Sequence, residues 1–229
     1  APTEPVRQSQ KFVGLCFSMN GKMSKVKFDW TAFSKLIHNS FHFFSKHSCV
    51  PINADRWEEI IFTTLRGMGE TYQGGEPRWV RGSHAPGADV WTDKFAISAK
   101  SGSLKNEFLV LSSCRLTRFK SIEDMITFLD GPVGKNFDFY LCCARLETRS
   151  EMIYRVYKVP ATVFIASSIG WKRTRGGWEG GSVNDVRASI VKNMSNQLWL
   201  HVPIGLCEEI TEFRISLSDF GATPLPLSE

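Results

Sequence analysis

At 229 residues the chain suits one domain and is long enough to bury a core without disulfide or metal staples. A hydrophobic fraction of 42%, with 17 Phe and 7 Trp, excludes a disordered chain. The formal net charge of +5 permits a polyanionic partner without requiring one.

In chain order, residues 11–29 predict a hairpin, with Asn20-Gly21 as its two-residue turn. Residues 30–46 predict an amphipathic helix, because Trp30, Phe33, Ile37, Phe41 and Phe44 recur at helical spacing. His38 and His42 on it are four apart but have no third ligand nearby in sequence, and read as half-buried surface. A second helix is expected over 54–66, capped by Asn53 or Asp55, with Trp57, Ile60, Ile61 and Leu65 as its buried stripe. Residues 73–86 form a Gly-, Pro-, Arg- and Trp-rich loop. Strands over 88–92 and 95–100 follow, with Asp93-Lys94 between them. Residues 121–129 predict a serine-capped helix closed by Gly131-Pro132. Strands then dominate: 137–146, 152–159, 162–167, 187–191, 197–202 and 212–217. This order predicts an α/β fold, a mixed sheet core with flanking helices rather than a doubly wound one. The whole chain, 1–229, reads as one domain, with 11–46 at most an appendage to it.

Six cysteines, Cys16, Cys49, Cys114, Cys142, Cys143 and Cys207, show neither zinc-ligand spacing nor a disulfide framework. They read as reduced core residues, which predicts a cytoplasmic setting. The polar stretch 1–10 predicts no secretory leader, and no apolar run approaches membrane-spanning length.

The segment with chemical content is Gly87-Ala88-Asp89-Val90-Trp91 followed by Ala96-Ile97-Ser98-Ala99-Lys100-Ser101-Gly102. A short hairpin brings an acid at one strand's start against a lysine on the next. Phosphodiester hydrolysis uses a divalent cation to polarise the phosphate and acidify water. Mg²⁺ takes one or two carboxylates and fills its remaining positions with water and phosphate oxygens. An adjacent ammonium can orient the attacking water and stabilise developing charge.

This spacing resembles the core of the PD-(D/E)XK nucleases, to which many type II restriction endonucleases belong. The resemblance covers about residues 55–105. It implies a restriction-endonuclease-like sheet, Asp89 as a Mg²⁺ ligand and Lys100 as the catalytic lysine. It also implies a glutamate beside an aromatic residue on the preceding helix, matched by Trp57-Glu58-Glu59. Glu58, aligned with Ile61 and Leu65, is preferred to Glu59. Two departures stand out. No proline directly precedes Asp89, and Ser98 occupies the place of the motif's second acid. Either Glu58 or Glu107 would then supply the missing carboxylate, with Glu58 preferred.

DNA contacts are expected from three places. Arg78, Arg81 and His84 precede Asp89, with His84 also a candidate general base. Arg115 and Arg118 project about one turn apart if their segment is helical. Lys172, Arg173 and Arg175 lie in a glycine-rich loop flanked by Trp171 and Trp178. The resemblance thus implies a Mg²⁺-dependent, sequence-specific endonuclease that cuts double-stranded DNA as a homodimer, since a two-fold protein matches two-fold DNA. A repair, transposon or viral nuclease of the same core is the enzymatic alternative. A β-rich binding module using the tryptophan-flanked loop is the non-enzymatic one.

Overall fold

The computed structural model describes residues 28–48, 51–69, 76–79 and 87–219. Cys16, Cys49, Arg81, His84 and nearly all of the expected 11–29 hairpin lie outside them. Among the described residues the helices are α1 (Trp30–Lys46), α2 (Ala54–Gly67) and α3 (Ile122–Asp130). Each begins at a side-chain cap: Asp29 accepts from the Ala32 amide, Asn53 from Arg56 and Ser121 from Asp124.

The strands are β1 (Arg78–Trp79), β2 (Val90–Trp91), β3 (Ala96–Lys105), β4 (Phe108–Arg115), β5 (Phe139–Glu147) and β6 (Glu151–Pro160). They continue with β7 (Lys172–Thr174), β8 (Gly177–Gly181), β9 (Arg187–Val191), β10 (Gln197–Pro203) and β11 (Glu208–Ser216). They form one mixed sheet in the order β11-β6-β5-β3-β4-β10-β9-β8-β7, with β1 and β2 attached beside β3. β3 and β5 run parallel, and every other pairing is antiparallel. The α3 crossover makes the parallel pair possible. The fold is therefore mixed α/β, with an open sheet and few helices.

Each face of the sheet carries a core. On one face, Phe33, Ile37 and Phe41 of α1 and Trp57, Ile60 and Ile61 of α2 pack on Ile97, Leu141, Tyr154 and Phe213. Trp57 is fully buried, and its indole N–H donates to the Leu141 carbonyl at 2.9 Å, fixing α2 against β5. On the other face, Ile122, Met125 and Leu129 of α3 pack with Tyr140, Cys142, Leu111, Ile190 and Leu200.

Several expectations are corrected. Residues 162–167 are not a strand but two short 3₁₀ turns, Ala161–Val163 and Ala166–Ser168. The Asp130 carboxylate draws them out of line by accepting the Ala166 and Ser167 amides at 2.7 and 2.8 Å. Residues 172–181 form a hairpin, β7–β8, rather than a loop. Trp171 and Trp178 pack on the second core, and the Trp171 indole donates to the Ala166 carbonyl. The segment 114–118 is not helical, because Arg115 ends β4 in register with Gln197.

β3 does not stop at Lys100. It continues to Lys105, crossing β4 where Gly102 has room for no side chain: a Cβ there would lie 2.7 Å from the Val110 carbonyl and 2.9 Å from Cys142 Sγ. The turn to β4 is Asn106-Glu107, both at positive φ (46° and 65°), the signature of a type I′ hairpin. The described cysteines, Cys114, Cys142, Cys143 and Cys207, are unpaired. No described helix is long and apolar enough to cross a membrane.

Candidate active site

One edge of β3 is paired with β5 from Ile97 to Gly102, while the other is divided. β2 pairs there with Ala96 and Ile97, and β4 takes over at Gly102. Between them β2 and β4 diverge, and Ser98 to Ser101 face a fork with no strand partner. The fork opens into a cleft of about 270 Å³ lined by residues from both sides of the sheet: Asp55 and Glu58 of α2, Asp89, Lys100, Ser113, and Lys135 and Tyr140 from the α3 side.

Asp89 and Lys100 occupy the fork and complete its backbone bonds. Asp89 Oδ2 accepts the Ala99 amide at 2.8 Å, where a strand would have supplied a carbonyl. Lys100 Nζ donates to the Ala99 carbonyl at 2.9 Å and to Asp89 Oδ2 at 2.8 Å. The side chains are only 10% and 16% exposed, so the ion pair is largely withdrawn from water. The Asp89 amide in turn donates to the Ile97 carbonyl, anchoring the carboxylate from behind. No described residue donates to Asp89 Oδ1.

Ser98 is 1% exposed, and its hydroxyl faces the Gly87 carbonyl at 3.0 Å and Asp89 Oδ2 at 3.3 Å. It therefore holds the Asp89 loop rather than offering a free oxygen to the cleft.

Glu58 reaches the cleft from the first turns of α2. Trp79 donates its indole N–H to Glu58 Oε2 at 3.0 Å. Burial pushes the Glu58 carboxyl above its ordinary value of 4.5 and the Asp89 charge adds to this, against the Trp79 bond and Lys100. Glu59 points elsewhere and pairs with Arg56. Nothing in the sequence marks Trp79 as the residue that orients Glu58; it is one aromatic in a polar loop.

The structure does not bring Glu107 to the cleft. It sits in the turn beyond Lys105, about 17 Å further along β3 than Lys100 at about 3.3 Å per residue. Of the two glutamates expected at the site, Glu58 lines the cleft and Glu107 does not.

The expected DNA-contacting residues are dispersed. Arg115 lines the cleft. Arg78 lies on β1, 3.7 Å from Asp93. The Arg118 guanidinium stacks over Phe119 and Phe128 at 4.8 and 4.4 Å from their ring centres. Lys172, Arg173 and Arg175 belong to the outermost hairpin, five strands from β3, or roughly 24 Å along the sheet at about 4.8 Å per strand. None of the three lines the cleft that holds Lys100.

Among the described residues no three His, Cys, Asp or Glu side chains cluster as a ready cation cage, and the His38–His42 pair gains no third ligand. Three carboxylates, Asp55, Glu58 and Asp89, line one cleft, and Asp89 and Glu58 each keep an oxygen that takes no hydrogen bond from the described residues. That donor set suits a cation that fills its other positions with water and phosphate.

Glu58→Gln should raise the divalent-cation concentration needed for half-maximal activity, and Glu59→Gln should not. The pH dependence has a definite sign. Below its raised value Glu58 is protonated and neutral, so protonation does to wild type what the substitution does permanently. The difference between wild type and Glu58→Gln should therefore narrow as pH falls, beginning above pH 4.5. Cation titrations at several pH values check this; equal effects from Glu58→Gln and Glu59→Gln would remove Glu58 from the site.

Comparison with protein-family models, with curated proteins and with solved structures finds no match.

Proposed function

We propose that the chain is a PD-(D/E)XK-type nuclease that hydrolyses phosphodiester bonds of double-stranded DNA, with Mg²⁺ as its cofactor and a restriction-endonuclease-like core. The observation that carries this reading is the buried Asp89–Lys100 pair in the β3 fork, with Glu58 on the facing wall of the same cleft. Asp89 and Glu58 are the residues that would hold a divalent cation, which would supply charge against the phosphate and acidify a water.

The chain's own residues do the positioning. Lys100, held by Asp89 and the Ala99 carbonyl, presents its ammonium to the cleft, where it orients the attacking water and offsets charge on the phosphate oxygens. Ser98 and the Ala99 amide hold Asp89 in one orientation through Oδ2, so that Oδ1 would be the oxygen available to a cation. Trp79 holds Glu58. Arg115, on the cleft lining, is placed to receive the neighbouring phosphate.

Restriction-type cutting adds sequence specificity and a homodimer, in which two such clefts address the two strands. Incubating plasmid with and without Mg²⁺ tests the reading. Discrete, Mg²⁺-dependent fragments are expected. A smear would replace the restriction reading with a general, repair, transposon or viral nuclease. Intact plasmid under all conditions would leave a binding module instead.

A further inference from the structure

Beyond the cleft, the sheet face that carries α1 and α2 continues past them. Cross-strand partners share a face, so the pairings trace it outward. Ser103, Val110, His201 and Arg187 form one row, and Lys105, Phe108 and Pro203 the next. Ser112, Trp199, Ser189, Glu179 and Lys172 form a third row on the cleft side. Arg145, two residues past Cys143 in β5, projects from the same face beside Ser103. Trp199 and His201 are half-exposed, whereas Leu198, Leu200 and Val202 between them are buried on the opposite face.

This face has the composition of a binding surface. Lys105, Arg145 and Arg187 are exposed, and no carboxylate lies within ion-pair distance of any of them among the described residues. The Arg187 guanidinium lies over Phe108, its central carbon 4.8 Å from the ring centre. Burial, Arg187 and Lys105 together depress the His201 imidazole, as expected of a locally positive surface. The single acid in the three rows is Glu179, toward the outer edge.

The face is also continuous with the cleft. A groove of about 410 Å³ runs between the N-terminus of α2 and this face, floored by Ser103, Val110 and Trp199 and flanked by Arg145. Ala54, Ser101 and Ser112 line both the groove and the cleft. A ligand leaving the cleft on the α2 side enters it directly.

We infer that this open sheet face is the track for the DNA flanking the scissile phosphate, with Lys105, Arg145 and Arg187 gripping its backbone. The inference rests on the nuclease reading and deepens it by assigning a flank-binding surface outside the cleft. The occupant is a polyanion because the unpaired charges are positive. The chain's own residues 1–27 carry five basic residues and one acidic, a charge of the same sign that does not complement this face. From β3 to β7 the face spans roughly 24 Å, room for about seven base pairs at 3.4 Å each.

The test is equilibrium binding of a fluorescent duplex of about 30 base pairs over a salt series without divalent metal, for wild type and the triple variant Lys105→Ala/Arg145→Ala/Arg187→Ala. The three positions are exposed, and circular dichroism checks that the variant folds. Loss of about tenfold or more in affinity near 0.1 M salt is expected, with the log–log salt slope reduced by about three units, roughly 0.9 for each lost phosphate contact. A poly-glutamate peptide should not displace the duplex; displacement at matched charge would overturn the inference in favour of an acidic protein partner. If wild type binds and cuts DNA while the triple variant keeps its slope, this inference alone is overturned. If wild type binds no duplex at any salt, the nuclease reading falls with it.

Discussion

Asp89→Asn should abolish metal-dependent cleavage while leaving the fold in place. Asparagine keeps the carbonyl oxygen that accepts the Ala99 amide and can accept from Lys100, so the fork stays closed. It removes the charge that a cation requires. Asp89→Ala is the less informative change, because it strips the Ala99 amide and Lys100 of their acceptor together, and an abandoned buried donor costs about 1–3 kcal/mol. Plasmid cleavage beside a melting curve separates the two roles. Cutting by Asp89→Asn at the wild-type rate would end the assignment of this cleft as the active site.

Lys100→Ala should lower cleavage about 100-fold or more, the usual scale for one preorganised charge aimed at the developing transition state. It also deprives the Ala99 carbonyl of its side-chain donor, so a modest loss of stability should accompany it. Lys100→Arg is the sharper control. A guanidinium keeps the positive charge but has a planar fork that does not fit between the Asp89 carboxylate and the Ala99 carbonyl as a compact ammonium does. Full rescue by arginine would mean that charge alone suffices, and a tenfold or smaller loss in Lys100→Ala would mark a structural lysine. Single-turnover rates at saturating DNA make the comparison independent of binding.

Much of the frame is legible in the sequence because its signals are local. The helical periods of α1 and α2, the Asn53 and Ser121 caps and the alternation in β10 all reappear at their expected places. So does the meeting of Asp89 and Lys100, since a short hairpin fixes it. What sequence cannot reveal depends on distant partners. β4 is missing from the expected strands, because it forms only where the Asn106-Glu107 turn folds it back on β3 and β10 pairs its other edge. The 162–167 stretch has strand composition, yet the Asp130 carboxylate, 36 residues earlier, captures the Ala166 amide. Glu107 is close to Lys100 in sequence but is carried away by the extended chain. The spacing of the Lys172, Arg173 and Arg175 charges says nothing of the strands between them and the cleft. Trp79 as the holder of Glu58 is equally non-local.

The β3 fork joins two properties that are usually independent. Because Asp89 accepts the Ala99 amide and Lys100 donates to the Ala99 carbonyl, the Ala99 amide proton reports on this pair from inside the sheet. Any excursion of Asp89 toward a ligand weakens the bond that shields this proton. Deuterium uptake at one backbone position would then count how often the site rearranges, while the neighbouring amides directed at β5 stay protected. A rearrangement of the Asp89–Lys100 pair and a local breathing motion of the sheet become the same observable.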